Sequence, residues 1–324
     1  MIRNYLSIIR QSPRFYTFSI FGIFFSAPGQ TFLISLAIPT ICHSLNIKPL
    51  HFASVYSLAT LMASLFLPFI GKIIDRWPIK KTLIFNAFFF FSSILLFSLT
   101  RSFYGLFVAL FFMRLFGQGA LTLTATSHTI KQFTLNRGSA LSLTQLGYPL
   151  SEFIFPGLLI FLLHHIGFRL SFVALALSIP LLYLPLSLFG ISKLPSRHHS
   201  PDAQPEHSQS LSYALKDRFF PFYVALSSIP PIMMTAALYF QVDIFSANGW
   251  PIANAAIAIF CYALFKFINT LLIGPVIDRF GVVLPLFFLT FCIGLATFLI
   301  SFNGPPLMAF IYYSLYGVGL GASA

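Results

Sequence analysis

Charge is what this sequence lacks. Only 8% of its 324 residues are Asp, Glu, Lys or Arg, and seven are acidic, whereas soluble domains carry about 25% charged residues. That stock cannot cover a water-facing surface. Cysteine is scarce too: Cys42, Cys261 and Cys292 lie far apart, with no C-x-x-C or metal-ligand spacing, so apolar filler is a better reading than a disulfide or a metal site. No apolar run carries the clustered His, Asp or Cys that builds a metal or acyl-transfer centre, which disfavours a membrane-embedded enzyme. Neither a cofactor nor a metal is expected. The net charge of +12 does not argue for nucleic acid, because the Lys and Arg gather in short loops instead of along one face of a domain.

What is abundant is apolar: 57% hydrophobic residues, with 42 Phe. Runs of about 20 apolar residues are long enough to cross a bilayer. Ten occur, near 15–41, 52–72, 82–100, 104–127, 139–163, 170–190, 219–245, 251–273, 282–302 and 306–324. Proline and glycine inside them argue little against helices, because neighbouring helices satisfy the freed backbone groups. The first run follows Arg3, Arg10 and Arg14 like a signal peptide, yet it is too long and lacks a small-residue cleavage site. The loops on one side carry nearly all the basic residues, leaving Lys48, Arg101 and Arg169 opposite and Arg114 and Lys266 within spans. The positive-inside rule then predicts a cytoplasmic amino terminus for a multi-pass protein, with the cell (inner) membrane its expected location.

One polar stretch interrupts the pattern, at 191–218. It reads as a cytoplasmic linker between a six-helix bundle, 1–190, and a second bundle, 219–324, of about four helices. Its His198, His199 and His207 have no carboxylate or cysteine at ligand spacing, so a solvated linker is the better reading. Across the linker a motif recurs: Gly71-Lys72-Ile73-Ile74-Asp75-Arg76 returns as Gly274-Pro275-Val276-Ile277-Asp278-Arg279. Both copies end an apolar run and precede another. An internal repeat of membrane helices is the architecture of secondary transporters.

With six spans, a linker, and Gly-x-x-x-Asp-Arg between helices 2 and 3 and between helices 8 and 9, the chain resembles the major facilitator superfamily along essentially its whole length. After Asp75-Arg76, Lys80 and Lys81 keep the family's basic residues while Pro78 replaces its glycine; the second copy keeps Gly281 and lacks the basic tail. Pro28-Gly29-Gln30-Thr31, Tyr56-Ser57-Leu58-Ala59-Thr60, Arg114-Leu115-Phe116-Gly117-Gln118-Gly119 and Arg137-Gly138-Ser139-Ala140 look like poorly characterised bacterial and monocarboxylate-transporter-like branches. The drug/proton antiporter signature of helix 5 is degenerate in Gly147-Tyr148-Pro149-Leu150-Ser151-Glu152. The resemblance implies an all-α integral membrane protein of two pseudo-repeated bundles, here without the last two of twelve helices. It also implies that Gly71, Asp75, Arg76, Lys80, Gly274, Asp278 and Arg279 form a gate motif that latches the cytoplasmic side and does not bind solute. The expected function is secondary transport of a small organic solute, proton-coupled or facilitative, with a lean to an organic anion. The alternatives are a non-transporting relic and a drug or metabolite efflux carrier. Solute, protons and bilayer lipid are the expected partners, with the protein a monomer.

An ionisable group within a span costs on the order of 2.5–3.5 kcal/mol or more, and so marks a candidate site. Arg114, Glu152 and Lys266 qualify. Counting along helices 4 and 5 at 1.5 Å per residue puts Arg114 and Glu152 both roughly 15–17 Å from the outer face. They are therefore expected to meet, either as a proton-switched pair that alternates with an anionic substrate or as a permanent lock between helices. Lys266, with Asn269 one turn on, is expected nearer the cytoplasmic end, adding positive charge to an anion pathway, snorkelling, or meeting Asp278. Gln30, Thr31, Tyr56, Gln118, Gln145, Tyr148, Tyr239 and Gln241 are candidate cavity groups. Interhelical hydrogen bonding, worth about 0.6 kcal/mol each, is the competing explanation for many of them.

Overall fold

The computed structural model describes residues 2–133, 136–192, 216, 218–251, 253–302 and 304–322; the histidines of the linker lie outside them. Nearly all described residues are helical and none is in a strand. An amphipathic N-terminal helix, Ile2–Gln11, leads into the long apolar ones: α1 Pro13–Leu45, α2 Pro49–Arg76, α3 Ile79–Leu99 and α4 Phe103–Gln132. The apolar stretch Arg137–Ile191 reverses at Gly167, whose φ of 72° is left-handed, a conformation open to glycine because it has no Cβ. It therefore forms two helices, α5 (137–166) and α6 (168–191). Then come α7 Phe220–Tyr239, prolonged by Gln241–Ala247, and α8 Ala253–Phe280, α9 Val283–Ile300 and α10 Leu307–Gly321. Among the described residues seven stretches are long and apolar enough to cross a membrane, one of them the α5–α6 pair, and α10 is a shorter apolar helix.

Local chemistry sets the ends. Asn46, left-handed at φ 52°, closes α1, as asparagine tolerates better than most residues. Pro49 opens α2, where its missing N–H is no loss. Ser102 accepts the Gly105 N–H at 3.1 Å to cap α4. Outward faces are greasy: Leu58, Leu61, Leu65 and Phe69 of α2 and Phe287, Phe291 and Phe298 of α9 are all exposed. In water each would be penalised at about 25 cal/mol per Å² of apolar surface; against lipid tails there is no such cost. The phenylalanine content is thereby accounted for as lipid contact and packing.

The first six helices pack on one another, α8, α9 and α10 pack together, and α7 lies against α9. The two groups touch where the start of α5 meets α8 and where α7 meets the second half of α1. The end of the bundle holding the N-terminal helix, Asp75 and Asp278 is the motif end below; the other is the far end. At the far end Gln241 Nε2 reaches Ser35 Oγ at 3.4 Å and the Tyr239 ring lies 5.6 Å from that of Tyr56.

Candidate functional site

α1 is broken in the middle. Pro28 and Gly29 lie in a tight turn, Ala27–Gly29, because proline cannot supply its own N–H to a helical ladder. A Cβ on Gly29 would come within 2.5 Å of the Met113 carbonyl and 3.0 Å of the Gly117 Cα, so the two glycines let α1 and α4 touch backbone to backbone. Across that contact α4 widens into i→i+5 turns over Met113–Leu121, a distortion that recurs at functional sites. Arg114 sits on the widened turn. Its Nη1 donates to the Gly29 carbonyl at 3.0 Å and to Thr31 Oγ1 at 3.3 Å, and its Nε donates to Thr60 Oγ1 at 3.1 Å. The guanidinium lies 5.1 Å from the centre of the Tyr56 ring, whose hydroxyl donates to Thr31 at 2.8 Å. Arg114 is buried, and every one of these partners is neutral.

The expected pairing of Arg114 with Glu152 is corrected by this geometry. Glu152 is held by Lys266, whose Nζ lies 2.6 Å from Oε1, and Tyr262 donates to the same oxygen at 3.1 Å. Lys266 also donates to Tyr262 Oη at 3.1 Å and lies 5.1 Å over the Tyr148 ring. Nor does Lys266 lie near the motif end or reach Asp278; it stands near the middle of α8. Tyr262 and Lys266, four residues apart, project from one face of α8, opposite the α5 face that carries Glu152. Among the described residues the other carboxylate oxygen, Oε2, is buried without a hydrogen-bond partner.

The two charged centres line two adjoining cavities. One, of about 640 Å³, is lined by Glu152, Tyr262 and Lys266 with Gln30 and Thr31. The other, of about 810 Å³, is lined by Arg114, Tyr56, Thr60 and Tyr239. Gln118, Gln145, Tyr148, Pro231 and Thr235 line both, forming a shared wall. Gln145 Oε1 is buried and unpartnered among the described residues, whereas Gln30 is tied to Ser26 at 3.0 Å. Two candidates lie elsewhere. Asn269 donates to the Val318 carbonyl, joining α8 to α10, and Gln241 takes part in the far-end contact with Ser35.

The two copies of Gly-x-x-x-Asp-Arg are used differently. The Asp278 carboxylate accepts the Gly138 N–H at 2.7 Å, the Ser139 N–H at 2.9 Å and the Ser139 hydroxyl, at the amino end of α5, where the helix dipole favours an anion. A Cβ on Gly274 would meet Ser142 Oγ at 2.5 Å, Ser139 Cα at 2.8 Å and Tyr5 Oη at 2.8 Å, so α5 and α8 approach as closely as backbones can. Asp75 instead pairs with Lys131 at 2.7 Å, with both side chains more than half exposed. A Cβ on Gly71 would make only an ordinary 3.7 Å contact with Leu123. Arg76, Lys80 and Arg279 are exposed, and Arg279 lies over the Phe280 ring.

Residues 20–324 match the Major Facilitator Superfamily as a family. The chain belongs to that superfamily. The crystal structure of a mutant of the nucleoside transporter NupG superposes with a TM-score of 0.65 at 13% identity, covering 96% of this chain and 80% of that one. A bacterial homologue of the human lysosomal transporter Spinster, inward-facing and unoccupied, gives 0.64 at 17% identity, covering 95% and 72%. At such identities the likeness establishes the fold alone. A comparison with curated protein sequences finds no match.

Membership makes the chain a multi-pass integral membrane protein of a transporter superfamily. Within that fold Tyr262 and Thr60 are the site residues that sequence reading passes over. The four-residue step from Tyr262 to Lys266 is the available signal for the first. For Thr60 there is none, since its role depends on how α2 is turned toward α4.

Proposed function

We propose that this superfamily member carries a small organic anion by alternating access and couples it to protons. Arg114 is the anion's partner, and Glu152 with Lys266 is the proton-responsive pair. One observation carries the reading: Arg114 is a buried cation in a cavity wall whose partners are all neutral, while Lys266 already has its carboxylate. A desolvated, uncompensated charge is costly and attracts an opposite one. An anion reaching Arg114 supplies the compensation. A proton taken by Glu152 at its unpartnered Oε2 weakens its hold on Lys266, so a second cation becomes available across the wall formed by Gln118, Gln145 and Tyr148.

In this reading residues 1–190 and 219–324 are two bundles that rock about the cavities, joined by the 191–218 linker. The gate residues Asp75 and Asp278 work on the cytoplasmic side of the inner membrane, and the carrier acts as a monomer. The deciding experiment is uptake of labelled monocarboxylates, and of uncharged solutes of similar size, into proteoliposomes with and without a pH gradient. Anions should accumulate on acidification of the outer side, and Arg114→Gln should lower their uptake by about tenfold or more, as losing a charge-assisted contact of roughly 1.5–3 kcal/mol implies. Anion uptake unchanged in Arg114→Gln would overturn the assignment.

A further inference from the structure

The N-terminal helix lies across the motif-end closure. It packs on the start of α5, and its amphipathic pattern turns Ile8 inward while Ile9 and Arg10 face out. From the same inward face Tyr5 donates its hydroxyl to the Leu271 carbonyl of α8 at 2.6 Å. That carbonyl has a particular reason to accept. In an α-helix it would take the N–H four residues on, and residue 275 is a proline inside α8, which has no N–H to give. An unpaired carbonyl shielded from water costs free energy comparable to a lost hydrogen bond, and at this half-buried helix contact Tyr5 supplies the missing donor. Gly274 leaves room for it, since a Cβ there would lie 2.8 Å from Tyr5 Oη. Burial raises the Tyr5 phenol to about 12, so it keeps the donated proton through the physiological range.

We propose that the N-terminal helix is a bolt on this closure: by capping the carbonyl that Pro275 leaves without its helical donor, Tyr5 holds α8 against α5 and biases the carrier toward the state closed at the motif end. The inference rests on the alternating-access reading but adds a second fastening beside Asp278, from a segment that precedes α1. Tyr5 is a positioning residue and touches neither cavity. Helix bundle and bolt separate together, so the bolt opposes opening only while α5 and α8 are in contact.

The test uses spin labels at Arg137→Cys on α5 and Phe280→Cys on α8, with Cys42, Cys261 and Cys292 replaced by alanine, and pulsed dipolar distance measurement in nanodiscs. Tyr5→Phe, which removes one oxygen, should raise the long-distance population about fivefold, as loss of one net hydrogen bond of about 1 kcal/mol implies. Pro275→Ala gives Leu271 a helical donor again. In that background Tyr5→Phe should have no further effect. An unchanged distribution in Tyr5→Phe, or an equal shift in both backgrounds, would overturn the proposal. Asp278→Asn opening the closure while Tyr5→Phe does not would refute the bolt and leave alternating access standing. No solute enters the measurement, so failure to carry organic anions would not affect its outcome.

Discussion

Replacing Lys266 by methionine deletes the cation 2.6 Å from Glu152 and leaves that carboxylate with the Tyr262 hydroxyl at 3.1 Å, deep between α5 and α8. Breaking a buried pair from one side costs about 3–5 kcal/mol, because the surviving charge stays desolvated. Glu152→Gln should be milder. Its amide oxygen can still accept from Lys266 and Tyr262, and the ammonium keeps Tyr262 Oη at 3.1 Å and the Tyr148 and Tyr262 rings at 5.1 and 5.4 Å. The loss is then nearer the roughly 1.5–3 kcal/mol of a charged hydrogen bond. The double variant Glu152→Gln/Lys266→Met removes both charges and should be more stable than Lys266→Met alone. Thermal unfolding in detergent measures all four corners of this cycle, and the non-additive part is the coupling between the two residues. If Lys266→Met is as stable as the parent, or if Glu152→Gln rescues none of its loss, the carboxylate does not depend on Lys266. Transport separates a switch from a lock. As a switch, Glu152→Gln abolishes accumulation driven by a pH gradient but permits exchange of solute already on both sides. As a lock, any surviving protein keeps its proton dependence.

The gate copies should respond unequally. Asp278→Asn removes the charge that accepts two backbone N–H groups and a hydroxyl at the start of α5 and should cost about 1–2 kcal/mol of closure, read as greater labelling of a cysteine at Ser142 from the motif side. Asp75→Asn, which disturbs an exposed pair, should cost under about 1 kcal/mol; an equal effect of the two would contradict the asymmetry. For orientation, cysteines at Ser44, Ser102 and Asn248 should label with an impermeant maleimide in intact cells and one at Ser208 should not. External labelling at Ser208 would reverse the assigned direction.

Helices α1 to α10 were legible because lipid imposes a simple code: a run of apolar residues long enough to span, closed by residues such as Asn46 or Gly167 and opened by residues such as Pro49 or Ser102. The site was less legible for a geometric reason. Counting 1.5 Å per residue gives height along a helix. It does not give the direction in which a side chain points. The widened turns at Met113–Leu121 alter that direction locally, and Arg114 projects toward α1 and α2 while Glu152 faces α8. Tyr262 and Lys266, one turn apart on the same helix, were the readable half of that partnership. Tyr5 carries no signal in the sequence, because its role depends on a carbonyl that Pro275 frees at a position distant in sequence.

The Gly-x-x-x-Asp-Arg element is duplicated in sequence but not in employment. At the second copy, Gly274 has no space for even one methyl group, and Asp278 has three donors arranged around it; at the first, Gly71 has ordinary space and Asp75 faces solvent. Mutational tolerance should follow that difference: drift can accumulate at 71–76 with little penalty, while 274–278 is pinned by the backbone of another helix. A repeated element used in this way leaves one copy constrained by contact and the other free to vary. New regulation at the motif end of this carrier therefore has its easiest starting point in the last turns of α2, at 71–76.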